Sequence, residues 1–130
     1  MLVVDSSVWI EDLRSAPGGF LRFGELKHRR ADELAVTEPI LLEVLAGSRQ
    51  YDLVRSRLNA LPLRRVDPSR DYEAAAALFR EARRQGLTVR SLNDCLIAAV
   101  ALRLGDVVVH RDEDFEVLSG ITGLQALDLR

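Results

Sequence analysis

The stretch Leu2-Val3-Val4-Asp5-Ser6-Ser7-Val8-Trp9-Ile10 joins a short apolar run to an amphipathic segment through one acid and two serines. Its first three residues predict a buried strand that ends at Asp5. Ser6 and Ser7 can cap the helix that follows, because serine side chains accept hydrogen bonds from the free N–H groups of a first helical turn. The opening of the chain therefore predicts a strand that passes directly into a helix.

The same alternation of strand and helix continues along the chain. Further strands are predicted at Leu34–Thr37, Leu63–Val66, Asp106–His110 and, as a last edge strand, Leu124–Leu129. Helices are predicted at 20–30, 39–47, 51–61, 72–85, 91–104 and 112–118. Because the strands are short and continuously apolar, they are typical of a parallel sheet covered on both faces. We therefore predict an α/β protein with a three-layer α/β/α fold around a short parallel central sheet.

Length and composition limit the possible protein classes. The 130 residues, 48% of them hydrophobic, predict one domain over 1–130. A single cysteine excludes an internal disulfide, and with two histidines it cannot supply a four-ligand zinc site. No apolar run approaches about 18 residues, and the N-terminus lacks the features of a signal peptide. We expect a soluble, cytoplasmic protein that does not contact a membrane.

The charge balance does not indicate generic nucleic-acid binding, because 18 basic and 20 acidic residues give a net charge of −2. Lys27 is the only lysine, so seventeen of the basic residues are arginines, whose planar guanidinium groups suit phosphate. A group of four arginines is either a solvated helix face or a nucleic-acid-binding rim: Arg80, Arg83, Arg84 and Arg90. The sequence leaves both interpretations open.

Acidic residues follow the predicted strands at the point where ligands bind in open α/β sheets. Asp5 ends the first strand, and Asp112 and Asp114 follow the most strand-like run. Glu43 and Asp94 lie near the starts of two predicted helices. Five carboxylates at one edge repel one another, and there is no lysine among them, so a divalent cation is the natural partner. Oxygen ligands favour Mg²⁺ or Mn²⁺.

Each acid also has a structural interpretation. Asp5 fits a turn, Asp112 fits a helix cap, and Asp94 stands three residues after Ser91 at the spacing of a capping box. Glu43 is the hardest to explain in this way, because it interrupts an apolar run and acids on a buried face have partners. The joint placement of the acids favours a functional site.

Four motifs follow one another along the chain: Val4–Ile10, Pro39–Gly47, Ser91–Ala99 and His110–Phe115. These motifs resemble those of PIN-domain proteins, specifically the VapC ribonuclease toxins. The resemblance extends from Leu2 to about Leu118, with the motifs in family order and at family spacing. Asn93 stands where the family often has an apolar residue, so its orientation toward the site or toward solvent is open.

The resemblance implies a Mg²⁺-dependent endoribonuclease, with Mn²⁺ as a substitute, that cleaves structured RNA, expected to be transfer RNA. It also implies a VapB-type antitoxin partner and a homodimer. The implied metal ligands are Asp5, Asp94, Asp112 and Asp114. The implied catalytic residues are Asp5, Glu43, Asp94 and Asp112. Glu43 is expected to bind metal through water or to orient the attacking water. Ser6 is expected to bind a ligand carboxylate or the phosphate.

Three other interpretations share part of this pattern. A phospho-acceptor receiver domain needs a lysine on a late strand, whereas Lys27 lies early in the chain. A haloacid-dehalogenase-like phosphatase needs a second aspartate two residues after Asp5, where Ser7 stands. The third alternative is a catalytically silent PIN module that binds RNA or a protein partner, and the presence of all the candidate acids argues against it.

Overall fold

The computed structural model describes residues 1–130 as four strands, seven α-helices and one short 3₁₀ turn at Ala31–Glu33. The strands are β1 (Leu2–Val4), β2 (Leu34–Ala35), β3 (Val107–His110) and β4 (Gln125–Asp128). The helices are α1 (Ser6–Arg14), α2 (Leu21–Arg30), α3 (Glu38–Gly47), α4 (Tyr51–Asn59), α5 (Asp71–Arg84), α6 (Leu92–Leu104) and α7 (Glu113–Ile121). None of these helices combines the length and the apolar character needed to cross a membrane.

The four strands form one parallel sheet in the order β2-β1-β3-β4. Leu2 of β1 is in register with Leu34 of β2 on one side and with Val107 of β3 on the other. All three residues of β1 are buried, which requires helices on both faces of the sheet. The predicted α/β fold with a short parallel central sheet is confirmed, and β4 is the predicted edge strand.

The predicted strand at Leu63–Val66 is wrong. Leu63 makes an isolated parallel bridge to Val36, and the pairing stops there. The N–H of Val66 donates to Oε1 of Glu38 over 2.9 Å rather than to a strand carbonyl, and Arg64 directs its guanidinium to Asp106. The N–H of Arg64 completes the bridge by donating to the carbonyl oxygen of Val36 over 2.7 Å, and beyond it a side-chain carboxylate replaces the strand partner of Val66.

Helix α6 forms the centre of the core, because every residue from Asp94 to Ala101 is buried. It ends at Gly105, whose φ of 72° is the left-handed conformation that glycine adopts without a Cβ clash. Cys95 lies within this buried run, and burial raises the pKa of its thiol to about 11. The thiol therefore stays protonated and packs as a small apolar side chain. Because the helix is fixed along its length, its first turn holds Asp94 at a defined position.

Candidate active site

The site lies at the carboxyl edge of the sheet, where β1 and β3 end side by side. The N–H of Asp5 donates to the carbonyl oxygen of Val109 over 2.8 Å, which extends the pairing of the two strands to the first acid. The turn after β3 then carries Asp112 and Asp114 past the end of β1. Adjacent parallel strands thus bring together residues that are more than a hundred positions apart.

All five predicted acids meet in two overlapping clusters. One consists of Asp5, Glu43 and Asp94, and the other of Asp94, Asp112 and Asp114. Within each cluster, one carboxylate oxygen per residue lies within 4.8 Å of the others. Asp94 belongs to both clusters and is 4% exposed. The structure therefore brings the five acids together around the first turn of α6, and we call the space between them the pocket.

Asp5, and not the predicted Ser6 or Ser7, caps α1, and its carboxylate is held by Ser7. Both the N–H and the hydroxyl of Ser7 donate to Oδ2 of Asp5, over 3.0 and 2.6 Å. The same hydroxyl accepts the N–H of Arg111 over 3.0 Å and so ties the ends of β1 and β3 together. Ser6 is buried beside it, and its contact with a ligand carboxylate or with phosphate stays a prediction. The spacing of the two residues could have identified Ser7, because the side chain of a helix-capping aspartate accepts a hydrogen bond from the residue two positions later.

Hydrogen bonding leaves Asp5 only half satisfied. Its Oδ1 is buried and has no hydrogen-bond partner. Burial raises the pKa of Asp5 to about 6, although the hydrogen bonds from Ser7 oppose the rise and the charge of Glu43 adds to it. At neutral pH this carboxylate is mostly ionised and presents one bare oxygen to the pocket.

Asp94 is both a helix-start residue and a site residue. Its N–H donates to the hydroxyl of Ser91 over 3.3 Å, which is the serine cap that the spacing predicted. Its side-chain Oδ2 is buried and unpartnered. Burial, and next the charge of Asp5, raises the pKa of Asp94 to about 10. Without a cation, this group therefore holds a proton at neutral pH.

Asp112 and Asp114 are tied into the backbone around the pocket. Asp112 caps α7, because its Oδ1 accepts the N–H of Asp114 over 3.0 Å. Asp114 accepts the N–H groups of Arg90 and Ser91 over 3.0 to 3.1 Å, and so it fixes the residues that lead into α6. Its role as a metal ligand stays a prediction, since these backbone donors already occupy both of its oxygens.

Glu43 is half-buried at the edge of the pocket rather than enclosed in the core. Nδ2 of Asn93 donates to Oε1 of Glu43 over 2.6 Å and reaches the carbonyl of Pro39 at 3.5 Å. Asn93 thus faces the site and not solvent, which answers the question that the sequence left open. It links α3 to the first turn of α6 and fixes the direction of the Glu43 carboxylate.

The four arginines predicted as one group lie in two places. Arg90 is next to the site, with a side chain that is 75% exposed and its Nε 3.9 Å from Asp114. The remaining three are exposed along α5: Arg80, Arg83 and Arg84. Arg111 follows β3 directly, and its guanidinium lies over the ring of Phe20 at 5.0 Å, with Nη1 3.2 Å from Glu11. Arg90 therefore places a guanidinium beside the acids.

The donor set fits a hard divalent cation. Every group in the two clusters is a carboxylate, which is the ligand type that Mg²⁺ and Mn²⁺ prefer. Two buried oxygens, Oδ1 of Asp5 and Oδ2 of Asp94, have no hydrogen-bond donor, and such orphaned acceptors are rare in folded proteins. A cation would partner these oxygens and displace the proton from Asp94.

Comparison with known proteins shows the family of the chain. The PIN domain family matches residues 2–121, from the start of β1 to the end of α7. The chain belongs to the PIN-domain family. A VapC ribonuclease of Mycobacterium bovis and ribonuclease VapC11 of Mycobacterium tuberculosis are each 42% identical to it over 136 aligned positions, covering 100% of both chains.

Solved structures show that the fold is shared. The DNA-bound VapBC complex of Salmonella typhimurium contains a chain that superimposes on this PIN domain with a TM-score of 0.77 at 19% identity. The match covers 98% of this chain and 96% of that chain. At this level of identity the likeness establishes the fold, while the relatives at 42% establish the family.

Proposed function

We propose that this PIN domain is the Mg²⁺-dependent endoribonuclease toxin of a toxin–antitoxin pair. The observation that carries the proposal is the pair of buried, unpartnered oxygens on Asp5 and Asp94 inside an all-carboxylate pocket. The relatives at 42% identity over their full length are named as ribonucleases, which supports RNA as the substrate. The Salmonella neighbour is a VapBC complex, which supports an antitoxin partner.

The chain's own residues divide the work of phosphodiester hydrolysis. Asp5, Asp94 and Asp112 would hold the metal, and Asp114 would act beside them or through its grip on the start of α6. When two Mg²⁺ ions are bound, they supply activation of water and stabilisation of charge on the phosphate oxygens. Glu43, held by Asn93, would bind or orient the attacking water.

Substrate contacts would come from the rim of the pocket and from the start of α1. The exposed guanidinium of Arg90 can bind RNA phosphates, and Ser6 can donate to a phosphate oxygen. Because water and not the ribose hydroxyl attacks, the products would carry a 5′-phosphate and a 3′-hydroxyl. We propose a structured RNA, and transfer RNA first, as the target, with a ribosomal RNA loop as the other candidate of the same class.

The antitoxin would act by covering the acids. Carboxylates that lack basic partners are receptors for arginine, which binds them in a bidentate manner. We expect a VapB-type antitoxin to insert a basic side chain into the pocket or to block access to it. Co-purification of the two proteins expressed from their operon tests whether the antitoxin binds this chain. Substitution of the antitoxin's basic side chain tests how it inhibits, since inhibition should then be lost. A toxic chain with no adjacent gene that suppresses it would contradict the partner assignment.

The function is tested with purified protein and three chains: the wild type, Asp94→Asn and Asp52→Asn. Asp52 is an exposed acid of α4, so its substitution makes the same chemical change away from the pocket. We expect Mg²⁺-dependent cleavage by the wild type and the Asp52 variant, and none by the Asp94 variant. Sequencing of 5′-phosphate RNA ends after induction identifies the target. RNA binding without cleavage by the wild type would favour the silent module instead.

A further inference from the structure

His110 is a buried histidine that the proposed mechanism does not use. It ends β3, its side chain is fully buried, and it cannot touch a substrate. Both ring nitrogens are nevertheless engaged. Nδ1 accepts the N–H of Asp112 over 3.1 Å, and Nε2 lies 3.0 Å from Oε1 of Glu116. The ring also packs against Phe115, with 5.3 Å between the ring centroids.

The two partners assign one tautomer to this ring. The Asp112 amide can only donate, so Nδ1 must present a lone pair. The Glu116 carboxylate accepts, so the proton belongs on Nε2. The opposite tautomer would point an N–H at another N–H and leave the carboxylate without a donor. The ring is therefore fixed in both position and tautomer by groups on either side.

The hydrogen bonds of His110 orient the turn that carries Asp112 and Asp114. The Asp112 amide bonds back to His110, while the Asp112 side chain bonds forward to the N–H of Asp114. These two bonds orient Asp112, whose carboxylate shares a cluster with Asp94 and Asp114. We propose that His110 is a positioning residue, which holds Asp112 in the direction needed for metal binding, and that Glu116 sets its tautomer. This inference rests on the proposed metal-dependent function.

The test compares Mn²⁺ affinity among variants of the full chain by calorimetry. His110→Leu removes the acceptor, whereas in His110→Asn the side-chain oxygen takes the place of Nδ1 and can still accept from Asp112. Groups that orient metal ligands contribute about 10- to 100-fold to affinity. We expect a loss of at least about tenfold for leucine, and a recovery of most of it for asparagine. Leu118→Ala, a fully buried change in α7, controls for general loss of stability.

A second measurement does not depend on any variant folding. Nitrogen-15 NMR of the wild-type imidazole should show a proton on Nε2 and a bare Nδ1. The opposite tautomer, or a ring protonated at both nitrogens, would overturn the proposal. So would a folded His110→Leu chain with wild-type Mn²⁺ affinity, in which case the metal-dependent function would still stand. A wild-type chain that binds no Mn²⁺ would instead contradict both the positioning role of His110 and the metal-dependent function.

Discussion

The side-chain amide of Asn93 donates to Oε1 of Glu43 over 2.6 Å, and this bond joins the helix that follows β2 to the helix that carries Asp94. The contact leaves the second carboxylate oxygen of Glu43 free while fixing the direction of the group. Glu43 also faces Asp5, whose pKa it helps to raise. The bond therefore connects the geometry of the pocket to its charge.

Glu43→Gln separates a catalytic role from a structural one. Glutamine keeps the shape and an oxygen that accepts from Asn93, but it removes the charge. If Glu43 orients the attacking water, RNA cleavage should fall by at least about 100-fold. The melting temperature of the metal-free protein should stay the same or rise, because one charge leaves a repulsive cluster. Near-normal cleavage with a lowered melting temperature would show that Glu43 is a structural acid.

Asn93→Leu tests whether the hydrogen bond from Asn93 to Glu43 contributes to RNA cleavage. Leucine has a similar volume but no donor, so the Glu43 carboxylate loses its fixed direction. We expect cleavage to fall by about tenfold, the lower end of the range for groups that orient site residues, with little change in melting temperature. Asn59→Leu, an exposed substitution at the end of α4, is the matched control. Equal cleavage by both variants would mean that Glu43 needs no anchor.

Metal binding should release protons, because the pKa values of Asp94 and Asp5 are raised to about 10 and about 6. At pH 7, Mn²⁺ should therefore displace about one proton, that of Asp94, and affinity should rise about tenfold per pH unit between pH 6 and 9. Below pH 6 the dependence should steepen as Asp5 also binds a proton. Calorimetry in two buffers of different ionisation enthalpy measures the release directly.

The sign of the stability effect in the metal-free protein is opposite to that of a typical carboxylate. A group whose folded pKa is raised contributes stability below its unfolded pKa, near 3.9, and this contribution is lost as pH rises through the folded pKa. Asp5 and Asp94 should therefore destabilise the metal-free chain as pH rises from 4 toward 10. Asp94→Asn should flatten this trend and abolish the proton release. A wild type that binds Mn²⁺ without releasing protons would contradict the charge state assigned to Asp94.

The sequence predicted the acids well because their positions follow from topology. Once β1 and β3 are neighbouring parallel strands, Asp5 and Asp112 have to meet at one edge. Glu43 and Asp94 follow from helix starts that the sequence placed within one residue, at 39 and 91 against Glu38 and Leu92. Every one of these residues lies in the pocket that the structure shows.

What the sequence could not supply was the pattern of side-chain hydrogen bonds. Whether Ser6 or Ser7 binds Asp5 depends on helix-start geometry at single-residue precision. The direction of Asn93 depends on how α3 packs against α6, which no local pattern encodes. The strand predicted at Leu63–Val66 was wrong for the same reason. The N–H of Val66 and the guanidinium of Arg64 bond to side chains that are distant in sequence, those of Glu38 and Asp106.

An ion pair far from the site, between a buried aspartate and a partly exposed arginine, offers a prediction about stability alone. Nε and Nη2 of Arg103 donate to the two oxygens of Asp71 over 2.9 and 2.8 Å, and Nη2 also reaches the carbonyl of Arg65 at 2.8 Å. Asp71 is 1% exposed. Arg103 and Asp94 stand nine residues apart on α6, which separates them by about 13 Å along the helix. The pair therefore fastens α6 to the start of α5 without contacting the acids.

Arg103→Met keeps the length of the stem but leaves the Asp71 carboxylate buried without its partner. Because Arg103 itself is partly exposed, the expected cost is about 1 to 3 kcal/mol, that of a buried acceptor left without its donor. Hydrogen bonds from Arg103 lower the pKa of Asp71, so its contribution is present above the unfolded pKa near 3.9 and is lost as pH falls through the folded pKa. The difference in the free energy of unfolding between wild type and variant, measured by urea unfolding, should thus be largest at neutral pH and shrink in acid.

RNA cleavage per folded molecule should not change. Adding Asp71→Asn to the variant should restore part of the lost stability, and a double variant no more stable than Arg103→Met would show that packing, and not the charge, holds these helices together.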